Sequence, residues 1–235
     1  MMLDRLIALD QELLMWFNGS DSLFVDRLAE SLTAGVTWIP LYIALFYLVV
    51  KNNETMLQIG IIVGCSLLCI LLADGMADGI VKPLVARPRP SNDPIIKYAV
   101  DVVNNHRGMS FSFFSAHAAN TMSLAVFFGL LVRNRLFSSA LVIWSLVNCW
   151  TRLYLGLHYP GDILCGLLWG GVSGGLSYLV FHHFYFKVSP RLNYVSSQYT
   201  RTGYSVIDID VVLAVMVFTV AAAVINSLLS IGLYS

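Results

Sequence analysis

Long apolar runs separated by short polar links set the pattern of this chain. A helix needs about 20 apolar residues to cross a bilayer. Leu32 to Val50 is the first such run and stops at Lys51-Asn52-Asn53-Glu54. Met56 to Ile80 follows. Ala116 to Val132 ends at Arg133-Asn134-Arg135. Leu136 to about Leu155, Ile163 to Tyr185 and Val211 to Leu233 complete the set, the last after a polar stretch from Lys187 to Asp210. Residues 1–19 read differently. Leu3, Leu6, Ile7, Leu13, Leu14, Trp16 and Phe17 recur at helical spacing, with Asp4, Asp10 and Glu12 on the other face. That segment is too charged to span and reads as a helix lying in the membrane interface, ended by Asn18-Gly19-Ser20. The charges also interrupt the continuous apolar stretch that a cleavable signal peptide needs. In the fifth run Gly171, Gly174 and Gly175 suit close helix packing.

The predicted fold is therefore all-α: a polytopic membrane bundle of about six transmembrane helices plus an N-terminal interfacial amphipathic helix. One domain spans residues 1–235, with the interfacial helix at 1–19, a core at 70–180 and an extra C-terminal helix at 208–233. Composition agrees. Hydrophobic residues make up 57% and charged residues 12% of the chain, half the charge of a typical soluble domain. Zero formal net charge leaves no basic face for nucleic acid. Cys65, Cys69, Cys149 and Cys165 all lie in apolar runs and read as small packing residues rather than disulfides or metal ligands. Nothing in the sequence sets an oligomeric state.

Three polar clusters interrupt this pattern. They are Lys82-x6-Arg89-Pro90, Ser115-x-His117 and Arg152-x5-His158-x3-Asp162. Counting crossings from the N-terminus puts all three on one membrane face. An isolated Lys or Arg at a span end is ordinary snorkelling, and an isolated histidine there is an interfacial residue. Three cations, two imidazoles and a carboxylate in register are a site for phosphoryl transfer. Lys82, Arg89 and Arg152 offset the charge on the equatorial phosphoryl oxygens. His158 is the candidate nucleophile, and Asp162, one helical turn on, fixes its tautomer. His117 is the candidate general acid and then base. Ser115 and the N–H groups of residues 115–117 open a helix, where anions bind. Asp78, four residues before Lys82, is a supporting partner for it. Asp74 lies one turn further back on the same face. Two imidazoles dividing the work need no metal, and no cofactor is expected.

These clusters resemble the type 2 phosphatidic acid phosphatase family, membrane relatives of the vanadium haloperoxidases. The family pattern K-x6-RP is complete from Lys82 to Pro90. The pattern SR-x5-H-x3-D is present with Thr151 in place of Ser. The pattern PSGH reads Phe114-Ser115-Ala116-His117, with Phe for Pro and Ala for Gly. The resemblance covers roughly residues 70 to 180. It implies a metal-independent phosphatase working through a phosphohistidine on His158, with Lys82, Arg89, Ser115 and Arg152 holding the phosphate of a membrane lipid. Lipid A, undecaprenyl pyrophosphate, phosphatidylglycerophosphate and phosphatidate are the substrate classes it allows. A lipid-to-lipid phosphotransferase and a non-catalytic lipid-binding or transport protein are the competing readings. The expected location is the bacterial inner membrane. Lys51, Arg133, Arg135, Lys187, Arg191 and Arg201 fall on the face opposite the clusters. The short turn Arg133-Asn134-Arg135 marks that face as cytoplasmic and the site as periplasmic or extracytoplasmic.

Overall fold

A computed structural model describes residues 2–105, 107–189 and 196–232, without the side chains of Leu3 and Gly232. Arg191 and Leu233, named above, lie outside the described residues, as does the side chain of Leu3. The described chain is helical apart from an isolated antiparallel bridge between Tyr199 and Ser205. Helix α1 is Met2–Met15, α2 Leu23–Thr33, α3 Ile39–Lys51 and α4 Met56–Met76. One π-helical turn, Ala77–Val81, runs into the short α5, Lys82–Val85. Then come α6 Ala116–Val132, α7 Arg135–Tyr154, α8 Pro160–Val188 and α9 Val206–Gly232.

Among the described residues, four stretches are long and apolar enough to cross a membrane: Met56–Asn92, Arg135–Tyr154, Pro160–Val188 and Val206–Ile231. The run expected as one span over Leu32–Val50 is two helices, α2 and α3, bent by 66° at Ala34. Residues Gly35–Trp38 form a 3₁₀ turn there. Counted as one broken span, the pair makes five. Helix α6 is apolar but only 17 residues long. The last helix begins at Val206 rather than Val211 and so carries Asp208 and Asp210 in its first turns. Taken together, these helices make the chain an integral membrane protein.

Helices α6 and α8 form the centre, and both pack on α4; α7 closes on α6, and α9 lies against α2 and α3. The close approach of α6 and α8 rests on glycines four residues apart. A Cβ at Gly166, Gly170 or Gly174 would stand 2.6, 2.5 or 2.4 Å from the carbonyl oxygens of Ser115, Ala119 and Ser123. This corrects the sequence reading. Gly174 is at the seam, but Gly171 and Gly175 have open space around them. With no hydrophobic drive between helices in lipid, such small-residue seams hold bundles together.

The N-terminal helix docks on one end of the bundle. Leu14 is fully buried with Val100, Tyr159 and Ile163. Asn18 donates to the carbonyls of Asp101 (3.0 Å) and Tyr154 (2.9 Å). Most of its apolar residues still face outward, among them Leu6, Ile7, Leu13 and Trp16.

Candidate active site

All the predicted site residues lie at this same end, where α4, α6, α7 and α8 meet the links before and after them. The third cluster turns back on itself. Arg152 sits in the last turn of α7, and its carbonyl accepts from Leu157 N (3.0 Å) and His158 N (3.3 Å). Gly156 takes φ of +62° to make that reversal. His158 is thereby placed just before α8, with its side chain almost wholly buried.

The His158 ring has an oriented environment. Nε2 accepts from Arg89 Nη1 at 3.4 Å, so the proton belongs on Nδ1. Nδ1 faces Asp162 Oδ2 at 3.5 Å, an ion-pair distance longer than a made hydrogen bond. Burial pushes the His158 imidazole down to about 4, with Asp162 acting in the opposite direction and Arg152 and Arg89 reinforcing the fall. The ring is thus neutral at physiological pH, with its Nε2 lone pair turned toward the guanidinium of Arg89.

Asp162 has more partners than the sequence reading gave it. Oδ2 accepts from the backbone N–H of Tyr159 at 2.9 Å, and from the Ser112 hydroxyl. Oδ1 accepts from Arg87 Nη1 at 2.9 Å. At the third position of α8 the carboxylate closes a capping box with Tyr159 and also faces the histidine. Arg87 is not among the predicted site residues. It bridges Asp162 and Asp10 of α1, and its guanidinium lies 3.7 Å from the centre of the Tyr159 ring. Its place two residues before Arg89, in a cluster already rich in function, was the available signal.

The first cluster enters through the π turn, a form frequent at functional sites. Lys82 is buried and pairs with Asp78 at 2.5 Å, as its spacing predicted. Asp74 pairs elsewhere, accepting from Asn120 Nδ2 at 2.7 Å. Arg89 is clamped by the link that follows. Nε donates to Ser110 O (2.9 Å), Nη2 to Ser110 Oγ (2.8 Å) and Nη1 to Leu157 O (3.2 Å). Gly108 lies against it so closely that a Cβ there would sit 2.4 Å from Arg89 Cδ. Arg152 donates from Nη1 to Thr33 Oγ1 at 3.0 Å, at the break between α2 and α3, while its buried Nε has no partner. Neither Arg89 nor Arg152 pairs with a carboxylate among the described residues.

The second cluster opens α6. Ser115 is its N-cap, and its Oγ accepts from Ala118 N at 3.3 Å. Its own N–H goes to Asp162 O at 3.1 Å. The expectation of three free N–H groups narrows to those of Ala116 and His117, the first two of the helix, which lack a helical acceptor. Phe114 and Ala116, where the motif departs from the family pattern, are packed with Ala73, Ala77 and Ala119. Ala116 is helical, a conformation that asks nothing of glycine. His117 is exposed, within electrostatic reach of Arg152, His158, Lys82 and Arg89. Among the described residues no group of three or more His, Cys, Asp or Glu side chains gathers as a metal site would.

The chain is similar to known proteins. Residues 63–186 match the PAP2 superfamily. A lipid A 4'-phosphatase of Bacteroides thetaiotaomicron is 41% identical over 193 residues, covering 81% of this chain and 83% of that protein. A lipid A 4'-phosphatase of Porphyromonas gingivalis is 30% identical over 181 residues, 76% of this chain and 75% of its own. A lipid A 1-phosphatase of Rhizobium etli is 28% identical over 141 residues, 54% of this chain and 55% of its own. No solved structure matches the chain.

Proposed function

The chain belongs to the PAP2 superfamily, and we propose that it removes the 4'-phosphate of lipid A by way of a phosphohistidine. Lipid phosphate hydrolysis is the activity its family and relatives share; the choice of lipid A rests on the two relatives of that name that cover most of the chain. One observation carries the chemistry. A buried neutral imidazole, oriented by a carboxylate, stands beside cations that face no carboxylate of their own. A buried cation without a partner is costly, and a phosphate dianion supplies the missing charge.

The substrate phosphate lies among Lys82, Arg89, Arg152, Ser115 and the N–H groups that open α6. The arginine forks grip its oxygens in pairs and lysine acts as a point charge. Nε2 of His158 forms a bond to phosphorus as the bond to the sugar oxygen breaks. With the substrate dianion offsetting the cations around it, His117 holds a proton and gives it to that oxygen, and the dephosphorylated lipid leaves. Asp162 draws the Nδ1 proton and stabilises positive charge on the phosphorylated ring. Neutral His117 then takes a proton from water, whose oxygen attacks phosphorus. The bond to Nε2 breaks and inorganic phosphate departs. The exposed position of His117 suits a group that must reach both a leaving lipid and solvent. Asp78 holds Lys82 in place. Helix α1 lies in the interface on its outward apolar side. The Arg133–Arg135 turn, at the far end from the site, supports an inner-membrane protein with its site on the periplasmic face.

Purified protein in detergent, given lipid A, undecaprenyl pyrophosphate and phosphatidate in excess chelator, tests this. The expected result is phosphate release from lipid A, with loss of the 4'-phosphate by mass spectrometry. Preference for another lipid, or loss of activity on chelation restored by magnesium, overturns it.

A further inference from the structure

Helix α1 lies outside the matched residues 63–186, yet one of its side chains is wired into the site. Asp10 Oδ2 pairs with Arg87 Nη2 at 2.7 Å. Its Oδ1 accepts from the backbone N–H of Gly161 at 2.7 Å, in the first turn of α8. Arg87 uses the other arm of its fork for Asp162 Oδ1 at 2.9 Å. The guanidinium is planar and rests on the Tyr159 ring, and Tyr159 OH is itself held by Asp93 Oδ2 at 2.7 Å. A rigid fork with both arms occupied relays the position of one carboxylate to the other.

We propose that Asp10 is a positioning residue for the reaction: through Arg87 it sets the orientation and effective charge of Asp162, the carboxylate facing His158. The inference rests on the reading of His158 as nucleophile. The physical reason is charge sharing in a buried network, where electrostatic effects are large. Between two carboxylates, Arg87 offsets only part of the charge on Asp162, which keeps its pull on the Nδ1 proton. Without Asp10 the whole guanidinium charge falls on Asp162. The pull weakens, and Nε2 becomes a poorer nucleophile. The phosphate-holding side chains Lys82, Arg89, Ser115 and Arg152 make none of these contacts, so substrate binding is not altered. A simple latch for α1 would have no such consequence, and Leu14 and Asn18 already pin that helix down.

The test is Asp10→Asn in the purified full chain, which keeps the shape and removes the charge. The expected result is kcat lowered about tenfold, with KM and vanadate inhibition within about threefold. Asp10→Glu restores part of the loss. In an Arg87→Lys background, which loses the fork, Asp10→Asn costs little more, because the relay is already broken. A kcat within twofold of wild type for well-folded Asp10→Asn overturns the proposal, as do losses that multiply independently in the double variant. Where Asp10→Asn folds poorly, Gly161→Ala serves. Its Cβ would stand 3.0 Å from Asp10 Oδ2 and displace the carboxylate with its charge intact. A severalfold fall in kcat is then expected, and an unchanged kcat overturns the idea. His158→Ala run alongside separates the two levels. If it is inactive while Asp10→Asn is normal, only this inference fails. If it remains active, the phosphohistidine reading fails first.

Discussion

The two ends of this bundle bury polar side chains in opposite ways. At the far end the groups are mostly neutral and satisfied. Tyr185 OH donates to Asn53 Oδ1 at 2.7 Å, Asn52 Oδ1 accepts from Ser205 N at 2.7 Å, and Thr202 donates to Val132 O at 2.9 Å. The carboxylate there, Asp208, takes hydrogen bonds from Tyr47 (3.0 Å) and Asn52 (3.1 Å). At the site end the groups are charged and incompletely paired. Arg152 Nε and His158 Nδ1 lack hydrogen-bond partners, and two buried arginines meet only neutral groups. Satisfied neutral networks hold helices in register. Unsatisfied charge in the same kind of helix ends is what a phosphate site needs before its ligand arrives. The same bundle thus has a closed end and a receptive end, and the difference lies in whether the protein provides its own counter-charges.

The sharpest way to break that comparison is at the nucleophile. On the proposed mechanism His158→Ala removes the atom that takes the phosphoryl group, so turnover is expected to vanish while the protein still folds. Trapping phosphoenzyme from labelled substrate should succeed with wild type and fail with the variant. Activity near wild type in folded His158→Ala would show that the receptive end works by another route. The next effect in size is on the unpaired cations. Arg152→Lys keeps the charge and loses the fork, and the unpartnered Nε goes with it. A fall of about a hundredfold in kcat/KM, with weaker vanadate inhibition, is expected from loss of a transition-state contact of this kind. Equal loss of activity and folded protein would instead mean that Arg152 is structural, bonded only to Thr33.

At the closed end the expected effect changes character. Asn53→Ala strips the acceptor from Tyr185 and the bond from its own Nδ2 to Val49 O at 2.8 Å. Losing two hydrogen bonds among half-buried groups costs about 1–3 kcal/mol, so thermal unfolding in detergent should shift down. The kcat of the folded fraction should stay within about twofold, since the change lies at the end remote from the reacting atoms. A catalytic loss larger than the stability loss would mean that the two ends are coupled.

The unequal ends also explain what the sequence could disclose. Apolar runs and cluster spacings are local in sequence, so the helices and the three clusters were legible, but the expected six spans become four among the described residues, or five with the broken pair. The break at Ala34 was not, because hydropathy averages over Thr33–Gly35 without registering a change of direction. Of the seam glycines only Gly174 was read from the sequence, for a related reason. Which face of α8 meets α6 is set by the partner helix, so Gly171 and Gly175 looked as suitable as Gly166 and Gly170. Arg87 and Asp10 show the same limit in the site. They are 77 residues apart in sequence, and only the docking of α1 beside α8 brings them to 2.7 Å. Ser112 likewise reaches Asp162 through loop geometry that no spacing rule encodes, whereas the Tyr159 N–H bond to Asp162 is the local contact of a capping box. On the proposed reading, motif positions that hold the phosphate keep a fixed spacing because their partner has a fixed shape. Residues that orient those positions are free to come from any element that packs nearby.

The smallest perturbation asks which end faces out of the cytoplasm. Met109 is fully exposed in the link above the site, and Glu54 is exposed on the turn between α3 and α4 at the other end. Neither belongs to a motif or to the basic Arg133–Arg135 turn. A single cysteine at either place, with Cys65, Cys69, Cys149 and Cys165 replaced, should leave kcat within about twofold, as surface changes usually do. In cells with a permeabilised outer membrane, an impermeant thiol reagent should label Met109→Cys and spare Glu54→Cys until the inner membrane is lysed. The physical basis is the preference of short basic turns for the cytoplasmic side. The reverse pattern would place the receptive end in the cytoplasm, where it would meet lipid phosphates before export rather than after. Labelling of both from outside would mean that an even number of crossings separates two ends that the structure sets at opposite poles. Helix α4, the apolar helix that separates Glu54 from Met109 in sequence, would then be the segment that fails to cross.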